Sequence, residues 1–141
     1  MVCSRKALTV AGYVAGTASK VRVLHVSEAH TMRADAAIAF LRMEAAAAAA
    51  GITLKVNSGF RSHEEQEVLY RKYLGGTGAL AAKPGYSNHQ GGIAVDIQTG
   101  GESTPTYAWL AREAWRYGFK RTVPSEPWHW EFRPEEVGGQ P

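Results

Sequence analysis

The sequence is poor in cysteine: Cys3 is the single cysteine among 141 residues. A disulfide within the chain is therefore excluded, and so is a zinc site built from thiolates. Any metal in this protein must be held by histidine and carboxylate side chains. The chain also lacks an apolar run long enough to span a membrane, and it lacks a Lys/Arg block interleaved with aromatics. We therefore predict neither a membrane span nor nucleic-acid binding.

A clear secretion signal is missing as well. Residues 7–16 (ALTVAGYVAG) are apolar and follow Arg5 and Lys6, as the core of a signal peptide would. The stretch is short and contains glycine, however, and the TASKVRV segment after it offers no convincing cleavage boundary. We therefore do not assign residues 7–16 as a signal peptide.

The composition is that of an ordinary folded domain. Apolar residues make up 45% and charged residues 21%, which excludes a disordered chain, and the net charge of +3 is that of a solvated surface. The length suits one domain with one core. We predict a single domain over residues 1–141, with an irregular segment at 1–20 and the core at about 21–133.

The periodicity predicts an α+β fold, with helices packed on a small, mostly antiparallel sheet. Thr31 is the expected N-cap of the first helix and Gly51 its C-terminal glycine, while Ser62 and Glu65 form a capping box for the second. The predicted helices cover residues 31–51, 62–74 and 104–118, and the predicted strands cover 21–26, 52–56, 91–97 and 128–132.

Two short stretches carry the chemistry. In YSNHQGGIAVDI, small residues separate His89 from Asp96, and in SEPWHWEF, His129 lies on a predicted strand. Alternate residues of a strand share a face, so Asp96 and His129 would point into one cleft if their strands pair. A catalytic zinc needs three protein ligands and one open position, and these three side chains are a fitting set.

A general base is expected beside such a site. Glu126 lies three residues before His129 in extended chain, with Pro127 stiffening the link, and it could take a proton from water. Glu131 is the alternative base, because it shares the predicted strand face of His129. Each motif alone is more often structural than functional, and only their combination is specific.

Three ordered motifs carry a family resemblance. SGFRSHEEQ, SNHQGGIAVD and EPWHWEF together resemble the zinc D-alanyl-D-alanine carboxypeptidases of peptidase family M15. That family includes VanY-type carboxypeptidases, VanX-type dipeptidases and phage endolysin peptidases. The resemblance covers residues 34–133, although KRTVPS, between Phe119 and Glu126, is shorter than the corresponding stretch of many VanY-type members.

The resemblance implies a fold and roles for individual residues. The fold would be Hedgehog/D,D-peptidase-like with a zinc-binding cleft, holding one Zn²⁺ per chain. Arg61 would steady a developing oxyanion or the substrate carboxylate, which a guanidinium beside an aspartate-containing site could do. The implied ligands are His89, Asp96 and His129, the implied base is Glu126, and the implied substrate contacts are Gln66, Ser87 and Trp128.

The implied function is removal of the terminal D-alanine from peptidoglycan stem peptides by a monomer. Two alternatives stay open: an endopeptidase of endolysin or toxin type, and a non-catalytic zinc module like the Hedgehog signalling domain. The presence of both Glu126 and Arg61 argues against the second. Action in the periplasm or cell wall would require delivery by lysis, by an injection machine, or as part of a longer chain.

Overall fold

The computed structural model describes residues 7–137, so Cys3 and the first six residues of the predicted irregular segment lie outside it. Within these residues, seven strands form two antiparallel sheets, of order β1-β2-β3 and β4-β5-β7-β6. The strands are β1 Leu8–Val14, β2 Thr17–His25, β3 Thr31–Arg33, β4 Val56–Ser58, β5 Ala94–Ile97, β6 Phe119–Arg121 and β7 His129–Phe132. The helices are α1 Ala34–Ala49, α2 His63–Leu74, α3 Pro105–Glu113, extended by the 3-10 turn Ala114–Tyr117, and α4 Pro134–Val137. The predicted α+β class is confirmed, with two sheets instead of one.

The segment predicted to be irregular is a hairpin wherever the structure describes it. β1 and β2 pair in continuous antiparallel register. The turn residues Ala15 and Gly16 have φ of 50° and 83°, as a tight two-residue hairpin turn requires. The prediction was wrong because Ala-Gly is a weak turn signal and because β1 places a glycine, Gly12, at its buried position.

The N-cap of the first helix lies two residues later than predicted. Thr31 is not its N-cap, because residues 31–33 pair with β2 as strand β3. Arg33 occupies the N-cap position, and the Asp35 carboxylate accepts a hydrogen bond from the backbone of Ala36. The buried face of α1 has helical spacing and packs into the core: Ala36, Ala37, Phe40, Met43 and Ala47.

The second sheet sets the geometry of the cleft. In β7, Trp130 faces the core while His129 and Glu131 lie on the other face, as the alternation predicted. β5 and β7 pair with Asp96 directly opposite His129. The predicted strand at 52–56 is wrong in its bounds, since pairing begins only at Val56 and continues to Ser58, opposite Asp96.

The second helix begins where the sequence predicts. The capping box of α2 is confirmed: Ser62 Oγ accepts from Glu65 N, and Glu65 Oε1 accepts from Ser62 N. Within residues 7–137, none of the helices combines the length and apolarity that crossing a membrane would take.

Candidate active site

Three side chains from a loop and two strands converge at one point. Asp96 Oδ1 lies 3.3 Å from Nε2 of His89 and 3.1 Å from Nδ1 of His129. One possible ligand atom from each of the three residues lies within 4.8 Å of the other two. Both histidines are buried and Asp96 is partly buried. Such a spacing is what a shared metal ion needs.

The remaining ring nitrogens are held by acceptors outside this cluster. His89 Nδ1 lies 2.9 Å from the carbonyl oxygen of Gly59, and His129 Nε2 lies 2.7 Å from Oε2 of Glu131. A carbonyl and an ionised carboxylate can only accept, so both of these nitrogens carry the proton and donate. In the neutral rings, His89 Nε2 and His129 Nδ1 therefore keep the lone pairs that a metal would bind.

Backbone contacts fix the loop that carries His89. Ser87 Oγ accepts a hydrogen bond from His89 N at 3.2 Å, and the His89 carbonyl accepts one from Arg61 N at 3.0 Å. Gly92 has φ of +82°, and its carbonyl accepts from Arg33 N at 2.8 Å. A Cβ at Gly92 would stand 2.8 Å from that same Arg33 nitrogen, so only glycine fits.

Electrostatics favour a cation between these residues. Burial would raise the pKa of Asp96, but hydrogen bonds with His129 and His89 outweigh it and hold the pKa well below its usual range. Burial would lower the pKa of His129, but hydrogen bonds with Asp96 and Glu131 raise it to about 9. The same two residues therefore favour positive charge between them, which a divalent cation would supply in place of a proton.

Glu126 lies next to this cluster without belonging to it. Its Oε1 is 3.7 Å from His129 Nδ1, and its side chain is 29% exposed. Its own backbone is held in a turn, because Glu126 N donates to the Val123 carbonyl and His129 N donates to the Glu126 carbonyl. Trp130 Nε1 donates to the Pro127 carbonyl, which further fixes this segment. Glu126 therefore has a defined position beside the donor set and access to solvent.

The predicted Arg61 lies at the same cleft with its side chain anchored. Its guanidinium donates to Oε1 of Gln66 at 2.9 Å and to Oγ of Ser58 at 3.0 Å. Burial lowers the pKa of Arg61, partly offset by the charges of Asp96, Glu65 and Glu126. Gln66 is 1% exposed, and its amide nitrogen donates to the Ala82 carbonyl. Gln66 thus orients Arg61, and its direct contact with a substrate remains a prediction.

One cleft of about 570 Å³ brings together all eight residues predicted from the sequence. Its volume is in the range of small-ligand sites. Trp128 and Tyr86 are 40% and 56% exposed, so both offer aromatic surface there. The lining includes Arg61, Gln66, Ser87, His89, Asp96, Glu126, Trp128 and His129, together with Leu69 and Lys72 of α2, Leu80 and Glu131.

The sequence analysis did not predict the hydrogen-bond acceptors of His89 Nδ1 and His129 Nε2. The sequence predicts Glu131 only as an alternative base, but the residue is 2% exposed and lies on the Nε2 side of His129, whereas Glu126 lies on the Nδ1 side. The available signal was the strand alternation, which puts Glu131 on the same face as His129. The Gly59 carbonyl could not have been found, because a backbone acceptor leaves no mark on residue type.

Comparison with known proteins identifies the family of this chain. A family profile described as "VanY: D-alanyl-D-alanine carboxypeptidase" matches residues 29–135. The chain belongs to the VanY family. A D-alanyl-D-alanine carboxypeptidase of Enterococcus faecium is 38% identical over 87 residues, which cover 52% of this chain and 28% of that relative.

Solved VanY structures share the fold. VanYB in complex with D-alanine-D-alanine has a TM-score of 0.68 at 29% identity, covering 83% of this chain and 80% of that one. The E175A mutant of the VanB-type D,D-pentapeptidase VanY, in complex with Zn(II), has a TM-score of 0.66 at 29% identity, covering 79% and 78%. The LD-carboxypeptidase LdcB has a TM-score of 0.64, also at 29% identity, covering 72% and 59%. The chain spans less than half the length of the curated relatives it matches, between 28% and 46%.

Proposed function

We propose that this protein is a zinc-dependent D,D-carboxypeptidase that removes the terminal D-alanine from peptidoglycan stem peptides. The observation that carries the proposal is the convergence of His89, Asp96 and His129 beside Glu126 and Arg61 in one cleft of a VanY-family chain. We also propose that residues 1–141 form one domain, that it acts as a monomer, and that it works in the periplasm or cell wall.

The proposed ligands fit zinc in number and in donor type. Two imidazoles and one carboxylate leave a position open on a tetrahedral ion, as catalytic zinc sites require. The same donor set also suits ferrous iron, so the choice of zinc rests on the Zn(II) complex of the related VanY. Zinc bound there would supply Lewis acidity, which polarises a carbonyl and lowers the pKa of a water molecule.

Glu126 and Arg61 would divide the remaining work. The Glu126 carboxylate is close enough to the ligand set to accept the proton of the attacking water, and it can then protonate the leaving amine. The Arg61 guanidinium is fixed by Gln66 and Ser58, so it can meet developing negative charge without first having to be oriented. Ser87 and Trp128 line the cleft as proposed substrate contacts.

A second candidate is an L,D-carboxypeptidase, because LdcB is as identical to this chain as the two VanY structures. The two activities differ in the bond that is cut. A D,D-carboxypeptidase shortens the pentapeptide stem by its terminal D-alanine, whereas an L,D-carboxypeptidase shortens the tetrapeptide stem.

Mass spectrometry of muropeptides after digestion tests the proposal. Zinc-loaded protein is incubated separately with pentapeptide, tetrapeptide and cross-linked muropeptides, with Glu126→Gln as the control for contaminating peptidases. We expect conversion of pentapeptide to tetrapeptide only. Conversion of tetrapeptide to tripeptide would contradict the proposal and indicate an L,D-carboxypeptidase. Cleavage restricted to cross-linked material would contradict it and indicate an endopeptidase.

A further inference from the structure

We propose that Glu131 is a positioning residue for the metal site: its carboxylate accepts the Nε2 proton of His129 and so presents Nδ1 to the ion. The inference rests on the proposed metal site, and it assigns a function to a residue outside the proposed ligand set. It also separates Glu131 from the base, for which the sequence had made it a candidate.

The contacts of Glu131 account for both of its oxygens. Oε2 accepts from His129 Nε2 at 2.7 Å and from Asn88 Nδ2 at 3.0 Å. Oε1 accepts from Nε and Nη2 of Arg133 at 3.0 and 2.7 Å, a two-point contact with the guanidinium. These four donors hold the carboxylate in a single orientation. The hydrogen bond from His129 Nε2 to the carboxylate in turn orients the imidazole ring.

The location of Glu131 excludes a role as a mere surface ion pair. The residue is 2% exposed, whereas the Arg133 side chain is 31% exposed. A buried carboxylate is costly unless it is fully hydrogen-bonded, and here two of the partners are a proposed ligand and the residue directly before the other histidine ligand. Asn88 precedes His89, so one carboxylate ties the His89 loop to the His129 strand.

A carboxylate behind a metal-binding imidazole has two physical effects. It fixes which nitrogen carries the proton, and it makes the opposite nitrogen a stronger donor. Loss of such a partner typically weakens metal binding by about 10–100-fold. Glu131→Gln is the matching change, because the amide keeps the size of the side chain but cannot accept on both sides.

The first measurement is zinc affinity by competition with a chromogenic chelator. We expect Glu131→Gln to bind zinc about 10–100-fold more weakly than wild type. Glu135→Gln is the control, since it makes the same chemical change on exposed α4. Equal affinity in wild type and Glu131→Gln would overturn the proposal. If wild type itself does not bind zinc, the proposed function fails first, so the two failures are distinguishable.

The second measurement identifies the ligating nitrogen directly. In ¹⁵N NMR of the zinc-loaded protein, we expect His129 to carry its proton on Nε2, with a downfield N–H proton that moves upfield in Glu131→Gln. A purely structural role would leave this resonance in place once the variant is folded. A His129 ring protonated on Nδ1 would overturn the proposal.

Arg133→Lys keeps the inference testable if Glu131→Gln does not fold. It retains the positive charge on a partly exposed side chain but cannot make the two-point contact with Oε1. We expect zinc affinity about threefold or more below wild type at an unchanged melting temperature, as a fraction of the effect of losing the carboxylate. Arg112→Lys on α3 is its control, and wild-type affinity in Arg133→Lys would count against the proposal.

Discussion

Glu126 and His129 lie three residues apart in the chain, and Glu126 Oε1 is 3.7 Å from His129 Nδ1, yet the two residues would have different roles. His129 is buried and faces two carboxylates, as a ligand should be. Glu126 is partly exposed at the edge of the donor set, as a group that exchanges protons with a substrate should be. At the scale of single residues, this difference makes the two roles separable by experiment.

Glu126→Gln should leave zinc binding intact and abolish most of the activity. Glutamine keeps the size and polarity of the side chain but cannot accept the proton of water. Loss of a general base costs about 10²–10⁴-fold in rate, and the loss should appear in kcat because the proton moves only on the way to the transition state. Zinc content, melting temperature and kcat of the variant check this.

His129→Ala provides the contrast, since zinc affinity and activity should fall together when a ligand is removed. Near-wild-type kcat in Glu126→Gln would show that another group is the base. Loss of zinc from Glu126→Gln would make Glu126 a fourth ligand and contradict the three-ligand site.

Zinc-free protein should lose stability as the pH rises from about 6.5 to about 9. The folded-state pKa of His129 is raised from 6.5 to about 9, so its proton stabilises the fold fully below pH 6.5 and no longer does so above about pH 9. A shift of this size corresponds to about 3 kcal/mol at most. Urea unfolding in EDTA at several pH values measures it, and His129→Gln should remove the slope. Equal slopes in the two proteins would refute the assignment.

At the scale of elements, the loop that carries His89 depends on glycine at a crossing of two backbones. Gly92 lies against Arg33 at the junction of β3 and α1, and its left-handed conformation leaves no room for a side chain. Gly51 has nearly the same φ, +81°, but nothing lies within 4 Å of its Cβ position. Substitution of Gly51 therefore tests backbone strain alone, whereas substitution of Gly92 adds a steric clash with Arg33.

Gly51→Ala should cost about 1–2 kcal/mol of stability through strain alone and leave zinc affinity unchanged. Gly92→Ala should cost more, because the same strain is joined by displacement of the Arg33 backbone, and zinc affinity should fall as the His89 loop shifts. Urea unfolding and chelator competition on both variants check this. Equal losses in the two variants would show that the crossing does not position the loop.

Sequence patterns correctly predicted the elements that local signals specify. They failed where pairing between strands determined the structure. The capping box at Ser62 and Glu65 fixed the start of α2, and alternation placed His129 and Trp130 on opposite faces of β7. Thr31 looked like a helix cap but pairs with His25, because pairing with the preceding strand β2 outweighs a local capping preference. Of the site, the proposed ligands and base could be predicted from motif spacing. Strand alternation placed Glu131 on the face of His129, but its contact with Asn88, 43 residues away, could not be predicted.

At the scale of the molecule, a bound ion would join the loop at His89 to both central strands of the second sheet. The three proposed ligands lie on the loop, on β5 and on β7, so zinc would cross-link segments far apart in the chain. An ion that binds the folded state alone stabilises it by about 4 kcal/mol at a thousandfold excess over the dissociation constant.

Removal of zinc should therefore lower the melting temperature of the wild type. Calorimetry with and without EDTA measures the difference, and Asp96→Asn serves as the control that should melt at the same temperature in both conditions. An identical melting temperature of the wild type with and without chelator would contradict a metal-linked fold.

The hydrogen bonds between the β1-β2 hairpin and the loop that carries His89 also affect self-association. β1 pairs with β2 along one edge. At its other edge, Tyr13 N donates to the Gln90 carbonyl, and in the adjoining turn Gly16 N donates to the Gly85 carbonyl. An uncovered strand edge is a template for pairing with another copy. If loss of zinc releases His89, the loop no longer covers that edge. We then expect size-exclusion chromatography to show oligomers of the chelated protein, formed through β1, and a single small species of the metal-loaded protein.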